Sequence, residues 1–376
     1  MKNKVVNYNE ILNFYKGKRV LIFGNTGFKG AWLTYILLVA GAEVIGYALR
    51  PESGLSLFNL IKLECKEHLT QIYADVRDFN KVKKVIGDLK PQIVIHLAAQ
   101  AIVRKSYKDP IETYSTNVMG TVNICEAIRI SRNASGEHYV HSFLNVTTDK
   151  VYKNNEWEWG YRETDFIDGL DPYSNSKSCS ELVTHSYKNC FFEDGSVRIS
   201  TVRAGNVIGG GDFSIDRIIP DCVRAVFNDE VINVRNPYSI RPYEHLLEPL
   251  FAYLMIVKVQ YEDEKYAGYY NVGPDDRDCV TTGDLVSLFC DEWNKGGLGA
   301  NASWANVAEK DDPHEANFLK LDCSKLKNTF HWAPRWHIED AVRKTVDWTR
   351  VWMDYGDAFA IRSEMDREIE EFVSLT

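Results

Sequence analysis

The stretch RVLIFGNTGFKGAWLTYILLVAGAEVIGYALR, residues 19–50, decides the fold. Residues 19–23 form a short β-rich run, residues 27–40 have a helical pattern, and residues 43–49 return to a strand pattern. Between strand and helix stands a turn with the spacing G-x-x-G-x-x-G. Its backbone amides and the following helix N-terminus can face a pyrophosphate, and a purely structural turn is the alternative. The chain therefore opens with a βαβ unit that carries a candidate dinucleotide turn.

The alternation of helix and strand patterns continues well beyond this unit. We predict helices at 78–89, 113–131 and 173–191, and strands at 92–97, 142–147 and 198–203. This order is typical of a parallel sheet with helices on both faces. We therefore predict an α/β fold: a Rossmann-type doubly wound parallel sheet with a smaller mixed α/β substrate-binding lobe.

The boundary between the two parts is predicted from where the regular alternation stops. We assign residues 1–204 mainly to the dinucleotide-binding Rossmann domain and residues 205–376 mainly to the lobe, with elements free to cross between them. Residues 152–172 read as a long aromatic and acidic loop, a type of connection that is often functional. A helix near 338–352 precedes what reads as a charged C-terminal tail.

Composition excludes several classes of function. With 44 Lys and Arg against 53 Asp and Glu, the formal net charge is −9, so the chain has no basic footprint for nucleic acid or anionic lipid. None of the 8 cysteines has a second one three positions away, so we expect no metal. We see no apolar run long enough for a membrane span and no secretory signal. A cytoplasmic protein without nucleic-acid or membrane partners is the expectation.

Residues near the first three strand ends are the candidate cofactor contacts. Arg50 stands about 20 residues after the turn, where an acid usually meets the adenosine ribose, so it favours NADP; a solvated arginine is the alternative. Asp75 and Val76 fit an adenine contact, or a plain turn. The small residues after His96 allow close approach of a cofactor, whereas His96 itself reads as a packed strand residue. The cofactor candidates in these segments are Gly24, Thr26, Gly27, Phe28, Lys29, Gly30, Arg50, Asp75, Val76, Leu97, Ala98 and Ala99.

A second constellation suggests catalysis. Tyr173 and Lys177 are four residues apart in a helical segment, so both side chains project from one face. An ammonium near a phenol favours the phenolate, which makes Tyr173 a candidate base near neutral pH. Thr148 follows a predicted parallel strand and can hydrogen-bond the same substrate hydroxyl. Core or surface roles for the three residues are the alternative.

At this point the chain resembles the extended short-chain dehydrogenase/reductase superfamily and, within it, the CDP-glucose 4,6-dehydratase family. The motifs that carry the resemblance run from about residue 19 to 336 and include GNTGFKGAWL, HLAAQAIVRKSY, NVMGTVN, TTDKVY, EWEWGYRE, DPYSNSKSCSELV, VRAGNVIGGGDF, DRIIPD, RNPYSIRPYEHLLEPL and DPHEANFLKLDCSK. The resemblance implies that CDP-glucose becomes CDP-4-keto-6-deoxyglucose, with NAD as cofactor and NADP kept open by Arg50. It also implies a place in deoxysugar biosynthesis, for lipopolysaccharide or capsule.

The resemblance assigns the catalytic roles. Tyr173 would take the 4-hydroxyl proton with Lys177 and Thr148 beside it, and Asp149 would protonate the departing 6-hydroxyl, which requires a pKa raised by burial. Lys150 stands where related dehydratases carry a glutamate that removes the C5 proton. It acts either as that base, with a pKa lowered by desolvation, or as a charged partner that orients Asp149.

The resemblance also supplies the substrate contacts. A diphosphate needs cationic donors, and Arg217 and Arg241 are the candidates, with Asn206 as a hydrogen-bond donor to the phosphates. His245 either supports Arg241 or is an ordinary packed histidine. Gln100 and Arg104 are candidates for facing the substrate, and Asn117 joins the cofactor contacts.

Two positions depart from the family pattern, and several alternatives remain. Asn25 stands where histidine is frequent, and Arg50 where aspartate is frequent. The aromatic residues of 157–161 offer faces to the hexose or the base, with core packing as the alternative. The 113–131 and 173–191 helices suit the seam of a homodimer or a dimer of dimers. The rival functions are a C4 epimerase, a dehydratase of another nucleoside-diphosphate hexose, and a cofactor-sensing regulator without catalysis.

Overall fold

A seven-stranded parallel sheet forms the centre of the molecule. The computed structural model describes residues 6–51, 54–296, 301–307 and 318–375. The strands of this sheet are β1 (Arg19–Phe23), β2 (Glu43–Ala48), β3 (Leu69–Tyr73), β4 (Ile93–His96), β5 (Ser142–Val146), β6 (Arg198–Ala204) and β10 (Tyr269–Val272). They pair in the order β10-β6-β5-β4-β1-β2-β3, each with its neighbour in parallel. The predicted doubly wound α/β sheet is confirmed.

Helices cover both faces of this sheet. The helices are α1 (Tyr8–Tyr15), α2 (Phe28–Val39), α3 (Leu57–Leu60), α4 (Phe79–Leu89), α5 (Val103–Lys108), α6 (Pro110–Tyr114), α7 (Gly120–Ile130), α8 (Pro172–Phe191), α9 (Ile218–Phe227), α10 (Leu247–Glu262), α11 (Thr282–Asn294), α12 (Ser324–Phe330), α13 (Ile338–Asp354) and α14 (Ala358–Ser374). One core joins α1, α2, α10 and α14 to the sheet, and a second joins α4 and α7 to its other face. The central strands are buried on both sides, which explains the nearly continuous apolar sequences of β1 and β4.

The lobe is smaller and has two sheets of its own. Its strands are β7 (Asn206–Ile208), β8 (Ile232–Val234), β9 (Ile240–His245), β11 (Cys279–Thr281) and β12 (Trp304–Asn306). Strand β9 pairs with β7 and β11, and β8 pairs with β12. A third core packs α9, α11 and α13 around these strands. Because β10 and α10 return to the central sheet, elements from beyond residue 204 do cross into the Rossmann part.

Some local predictions differ from the structure. The predicted charged tail is helix α14, which buries Ile361, Met365 and Phe372 in the first core. The predicted 113–131 helix is interrupted by a π-helical turn at Ser115–Met119. Residues 312–317 of the DPHEANFLKLDCSK motif lie outside the described residues. Within the described ranges, no helix combines the length and apolarity that spanning a membrane requires.

The glycine turn between β1 and α2 is fixed by close backbone contacts. Gly24 has φ +86°, and a Cβ there would lie 2.7 Å from the backbone nitrogen of Ala98. A Cβ on Gly30 would lie 2.1 Å from the carbonyl oxygen of Gly24, whereas one on Gly27 would keep an ordinary 3.5 Å from the same oxygen. Gly24 and Gly30 are therefore required by the shape of the turn, and Gly27 is not.

These contacts predict opposite effects for two matched substitutions. Gly30→Ala should lower the melting temperature of the protein by several degrees, because overpacking against backbone costs about 1–3 kcal/mol. Gly27→Ala, at φ −73°, should leave the melting temperature within about one degree of wild type. Thermal unfolding of both variants checks the comparison. Equal melting temperatures for the two variants would contradict this account of the turn.

Candidate active site

A cleft of about 530 Å³ lies where the carboxyl ends of the central strands meet the lobe. It brings together residues that are far apart in the sequence and were predicted as cofactor, catalytic or substrate contacts. Those lining it are Lys29, Arg104, Thr148, Asp149, Lys150, Tyr173, Asn206, Arg217 and Arg241. The carboxyl edge of a parallel sheet is where ligands bind in folds of this type.

Tyr173 and Lys177 come from the first turns of α8. The helix is capped by Asp171, whose side chain accepts the backbone N–H of Ser174. The Lys177 ammonium is buried and donates to the carbonyl oxygen of Val146 at the end of β5, at 3.0 Å. Burial, with a smaller contribution from the nearby ammonium of Lys29, lowers the pKa of Lys177 to about 8.

Burial dominates the ionisation of Tyr173. It raises the pKa of the phenol to about 12, although a hydrogen bond with Thr148 and the charge of Arg217 both act to lower it. Without a bound cofactor, desolvation therefore determines the pKa of Tyr173, and the lowering that we expected from the Lys177 ammonium does not outweigh it. A phenolate at neutral pH therefore requires further positive charge in the cleft, of the kind that an oxidised nicotinamide carries.

Asp149 is the second acid–base group of the cleft. Its side chain is 1% exposed, and burial raises its pKa, while Lys150, the Thr148 hydroxyl and Arg241 act to lower it. One carboxylate oxygen accepts a 2.9 Å hydrogen bond from Thr148, and the other has no protein partner among the described residues. A buried carboxyl with a raised pKa is suited to donate a proton, as the sequence required.

Two lysines line the same cleft. Lys150 follows Asp149 directly and lines the cleft, and its backbone N–H donates to the Thr148 hydroxyl at 3.4 Å. Lys29 reaches in from the first turn of α2, and burial together with Arg217 lowers its pKa to about 8. The sequence placed Lys29 in the dinucleotide turn without predicting that its ammonium lies close to Asp149.

The cationic side of the cleft is formed by arginines with acidic partners. Arg217 donates to Asp212 at 3.0 Å, and Arg104 lies 4.0 Å from Asp216. Arg241, on β9, is buried and donates to the carbonyl oxygen of Ile240. This set provides the positive charge that a diphosphate requires. Asp212 was missed by the sequence analysis, because a single aspartate in a glycine-rich loop gives no signal.

Two predicted contact residues serve the scaffold in this structure. The Gln100 amide is occupied by Thr113 and by the backbone of Ile102. Asn117 bonds both backbone groups of Gln100 and donates to Ser176 on α8, so it holds the loop against the catalytic helix. Gln100 and Asn117 are therefore not free to face a ligand here, and the predictions for them are corrected accordingly.

His245 is the clearest departure from prediction. It is fully buried, stacks edge-on against Trp336, and lies 3.5 Å from Glu368 of α14. It does not line the cleft in which Arg241 lies. The prediction that His245 supports Arg241 is wrong, and the packed alternative is correct because the C-terminal helix covers this side of β9.

The dinucleotide side of the site is formed mainly by backbone. Helix α2 begins at Phe28, and its N-cap Gly27 provides no side-chain cap, so the first N–H groups of the helix are available to a pyrophosphate. Because Gly24 and Gly30 have no Cβ, the backbone of the turn stays uncovered beside these N–H groups, as a phosphate-binding turn requires. Phe28 opens α2, and Thr26 donates to the carbonyl oxygen of Leu49. These residues fit a bound dinucleotide.

The neighbouring strand ends show how the adenosine side is arranged. The Arg50 guanidinium stacks on the ring of Tyr73 at 3.9 Å. Asp75 forms a bidentate pair with Arg77, which is the turn arrangement that the sequence left as the alternative. Val76 is buried against Gly120. Leu97, Ala98 and Ala99 are partly exposed beside the glycine turn.

Two further predictions concern side chains that turn out to be packed. His96 is 1% exposed and bonds Thr121, as expected for a strand residue. Asn25, which replaces the family's histidine, is buried and exchanges amide hydrogen bonds with Gln71. The Asn25 side chain thus joins the glycine turn to β3.

The aromatic loop does not line the cleft. Tyr152, Tyr161 and Trp157 stack in sequence, and Trp159 meets Trp157 edge-on. Tyr161 also pairs with Leu321 in an isolated bridge. Packing is therefore what the structure shows for Trp157 and Tyr161, whereas Trp159 is 71% exposed, so a contact of this loop with the hexose or the base stays a prediction.

Comparisons with known proteins agree with this geometry. The family profile described as GDP-mannose 4,6 dehydratase matches residues 21–345. The chain is 44% identical to CDP-glucose 4,6-dehydratase of Salmonella typhimurium over 97% of this chain and 98% of that one.

Solved structures share the fold at lower identity. A dTDP-glucose 4,6-dehydratase of Streptomyces venezuelae with NAD bound has a TM-score of 0.74 at 21% identity, covering 88% of this chain and 97% of that one. A UDP-glucuronic acid 4-epimerase of Bacillus cereus with NAD bound also has a TM-score of 0.74, at 20% identity, covering 88% and 99%. A dehydratase and an epimerase of nucleotide sugars therefore share this architecture.

The buried ammonium of Lys177 predicts a pH-dependent stability. Because its pKa falls from 10.5 to about 8 on folding, the folded state loses stability as pH falls from about 10.5 to 8. The loss amounts to about 3 kcal/mol. Lys177→Met should therefore raise the melting temperature at pH 7, and the gain should shrink towards zero near pH 10.5.

The control is Lys83→Met, an exposed lysine of α4. Its melting temperature should follow that of wild type across the same pH range. Melting temperatures measured at pH 7, 9 and 10.5 check both variants. A Lys177→Met protein that is no more stable than wild type at pH 7 would contradict the cost of burying this charge.

Proposed function

Because the chain belongs to the GDP-mannose 4,6 dehydratase family of nucleotide-sugar 4,6-dehydratases, we propose that it converts CDP-glucose to CDP-4-keto-6-deoxyglucose with NAD as cofactor. The family was predicted from the sequence motifs, and that prediction is confirmed. The choice of CDP-glucose is supported by the Salmonella relative, which matches nearly the whole chain.

One observation carries the proposal: the cleft holds Tyr173 and a buried Asp149 together, and the Thr148 hydroxyl in the same cleft donates to Asp149. A 4,6-dehydration needs a base for the 4-hydroxyl and an acid for the departing 6-hydroxyl. Inversion at C4 needs the base alone. The acid with a raised pKa therefore favours dehydration over the epimerase alternative.

The chemistry then follows from the positions of these groups. NAD held at the glycine turn between β1 and α2 would supply a reversible acceptor for the C4 hydride and its donor to C6. Tyr173 takes the proton of the 4-hydroxyl, and the resulting ketone acidifies the hydrogen on C5. Lys150 lies in the cleft beside Asp149 and is the proposed base for C5. Asp149 protonates the 6-hydroxyl, which leaves as water.

The remaining cleft residues bind the nucleotide diphosphate. Arg217 and Arg241 supply charge-assisted hydrogen bonds to the phosphates, and Asn206 lies beside them. Arg217 is held by Asp212, which orients the guanidinium before substrate arrives. Arg104 approaches from the Rossmann side at the mouth of the cleft.

The choice between NAD and NADP depends on the residues that contact the adenosine ribose of the cofactor. Arg50 lies flat on Tyr73 at the end of β2, where a 2′-phosphate would be placed in NADP. The NAD-bound relatives of the same fold favour NAD. Binding titrations with NAD and NADP decide between them, since a preference for NADP of tenfold or more would assign Arg50 to the phosphate.

We also propose that the protein is a homodimer or a dimer of dimers through the α6–α8 region. Large apolar side chains are exposed there, with Ile111 at 81%, Leu182 at 57% and Met119 at 51%. Exposed apolar area of this kind marks protein interfaces.

Charge placed in this seam should separate the subunits. Leu182→Glu combined with Ile111→Glu should shift the mass in sedimentation to that of the monomer, because a buried carboxylate at an interface costs several kcal/mol. Phe359→Glu, at an equally exposed position on α14, should keep the wild-type mass. A monomeric wild type would contradict the proposal.

A panel of nucleoside-diphosphate hexoses tests the reaction itself. We expect loss of one water from CDP-glucose, read by mass, and a slower or absent reaction with GDP, UDP and dTDP hexoses. An isomer of unchanged mass would indicate an epimerase. Tight NAD binding without turnover of any nucleotide sugar would indicate a cofactor sensor.

Substitutions of the acid–base groups separate the steps. Tyr173→Phe should lower turnover at least about 100-fold while NAD still binds, because positioned proton transfer contributes that much. Asp149→Asn should reduce the cofactor, seen as absorbance of NADH, and then stop before water is lost. Lys150→Met should slow exchange of the C5 hydrogen with solvent. Wild-type rates in Tyr173→Phe would overturn the assignment of the base.

A further inference from the structure

A buried ion pair contacts the cleft residue Thr147 and has no part in the proposed chemistry. Glu181, on α8, and Arg203, on β6, are 1% and 2% exposed. The guanidinium donates two hydrogen bonds to the carboxylate, from Nε to Oε1 at 3.0 Å and from Nη2 to Oε2 at 3.1 Å. Replacing a buried ion pair by apolar side chains is often neutral or stabilising, so folding stability alone does not account for these charges.

The carboxylate of the pair is bonded to the residue that directly follows β5. The Thr147 hydroxyl donates to Glu181 Oε1 at 2.6 Å, and Thr147 is itself buried. Thr148 and Asp149 come next in the chain. The carboxylate therefore fixes the point at which the chain leaves β5 and enters the turn that carries the acid.

The guanidinium of the pair is bonded to the residue that follows this turn. Arg203 Nη1 donates to the Tyr152 hydroxyl at 2.8 Å and to the carbonyl oxygen of Glu163 at 3.1 Å. The guanidinium carbon also lies 5.0 Å from the centre of the Tyr152 ring. The Tyr152 hydroxyl in turn donates to the side chain of Asn271 on β10 at 2.6 Å. The guanidinium therefore fixes the chain where it leaves the turn.

These two bonds enclose the residues that carry the acid and the proposed base for C5. Residues 148–151, here called the acid segment, include Asp149 and Lys150. A single ion pair holds the chain on both sides of the acid segment. Tyr173 lies on α8, the helix that also carries Glu181. The pair thus connects the element that carries the first base to the segment that carries the acid.

We propose that Glu181 and Arg203 are positioning residues that hold the acid segment against α8, so that Asp149 is in place when Tyr173 has begun the reaction. The pair acts through Thr147 and Tyr152 and takes no part in proton or hydride transfer. This role rests on the proposed function and adds to it a device that sets the geometry between the two halves of the reaction.

The two halves of the reaction should respond differently when the acid segment is released. Oxidation at C4 uses Tyr173 and Lys177, which α8 carries, and receives one hydrogen bond from Thr148 of the acid segment. Loss of water uses Asp149 and Lys150, which both lie in the acid segment. NADH should therefore form at nearly the wild-type rate and then persist, because the step that follows its formation is slow.

The test variants release the acid segment and leave both charges in place. Removing one charge would leave the other buried and unpaired, which destabilises the whole fold. Thr147→Val removes the hydroxyl bonded to the carboxylate, and Tyr152→Phe removes the hydroxyl bonded to the guanidinium but keeps the ring. Thr147→Ser is the conservative control, because it keeps the hydroxyl. Ser142→Ala is the control for stability, because it removes a buried hydroxyl, bonded by Gln260, at the opposite end of β5.

Single turnovers of CDP-glucose by NAD-loaded enzyme, followed by the absorbance of NADH, give one rate for its formation and one for its decay. In Thr147→Val and Tyr152→Phe we expect decay to slow about 10- to 100-fold and formation less than about threefold, because misplacing a reacting group by about 1 Å costs up to about 100-fold. Thr147→Ser and Ser142→Ala should keep the wild-type ratio of the two rates. A wild-type ratio in both Thr147→Val and Tyr152→Phe would overturn the positioning role.

A second measurement tests the same role without a substrate. Amide hydrogen exchange of the full chain, read by mass spectrometry on peptides covering residues 147–153, should be faster in Thr147→Val and Tyr152→Phe than in wild type. It should be unchanged in Ser142→Ala. Wild-type exchange in both test variants would overturn the positioning role, whatever the substrate is. Faster exchange in these variants, together with a wild type that dehydrates no nucleotide sugar, would overturn the proposed function alone, so the two failures are distinguishable.

Discussion

The close placement of Tyr173 and Asp149 around the Thr148 hydroxyl is the constraint on which the site depends. These residues come from two elements, β5 with its following turn and the first turn of α8. Both elements are fixed independently of any ligand: Lys177 on α8 bonds Val146 of β5, and Ser178 bonds Val151. The strand and helix therefore hold base and acid in register before substrate binds.

Burial gives these groups properties that they lack in water. It raises the pKa of Asp149 and of Tyr173 and lowers the pKa of Lys177 to about 8. A carboxyl that keeps its proton serves as an acid, but a phenol whose pKa rises to about 12 needs added positive charge to serve as a base. The same environment that supplies the acid thus makes the base depend on the oxidised cofactor, which couples deprotonation of the sugar to the presence of a hydride acceptor.

Much of the fold was readable from the sequence, for reasons that particular elements show. Buried parallel strands such as β1 and β4 have nearly continuous apolar sequences, and the glycine turn has a spacing that backbone contacts dictate. Helix α14 was missed because its apolar residues are interrupted by many charges, so its burial depends on the core that it covers. The spacing of Tyr173 and Lys177 predicted that they share one face of a helix, and α8 contains both. The scaffold roles of Gln100 and Asn117, the packing of His245 and the approach of Lys29 to Asp149 arise from contacts between distant segments, which local patterns do not contain.

The central claim is that one cleft oxidises a hexose at C4 and uses the same hydrogen to reduce C6 after water has left. CDP-glucose carrying deuterium at C4 tests it most directly, with the position of the label read by nuclear magnetic resonance in the isolated product. We expect deuterium at C6 of a 4-keto-6-deoxy product, with a solvent-derived hydrogen at C5. Deuterium retained at C4, or lost to solvent without appearing at C6, would contradict it.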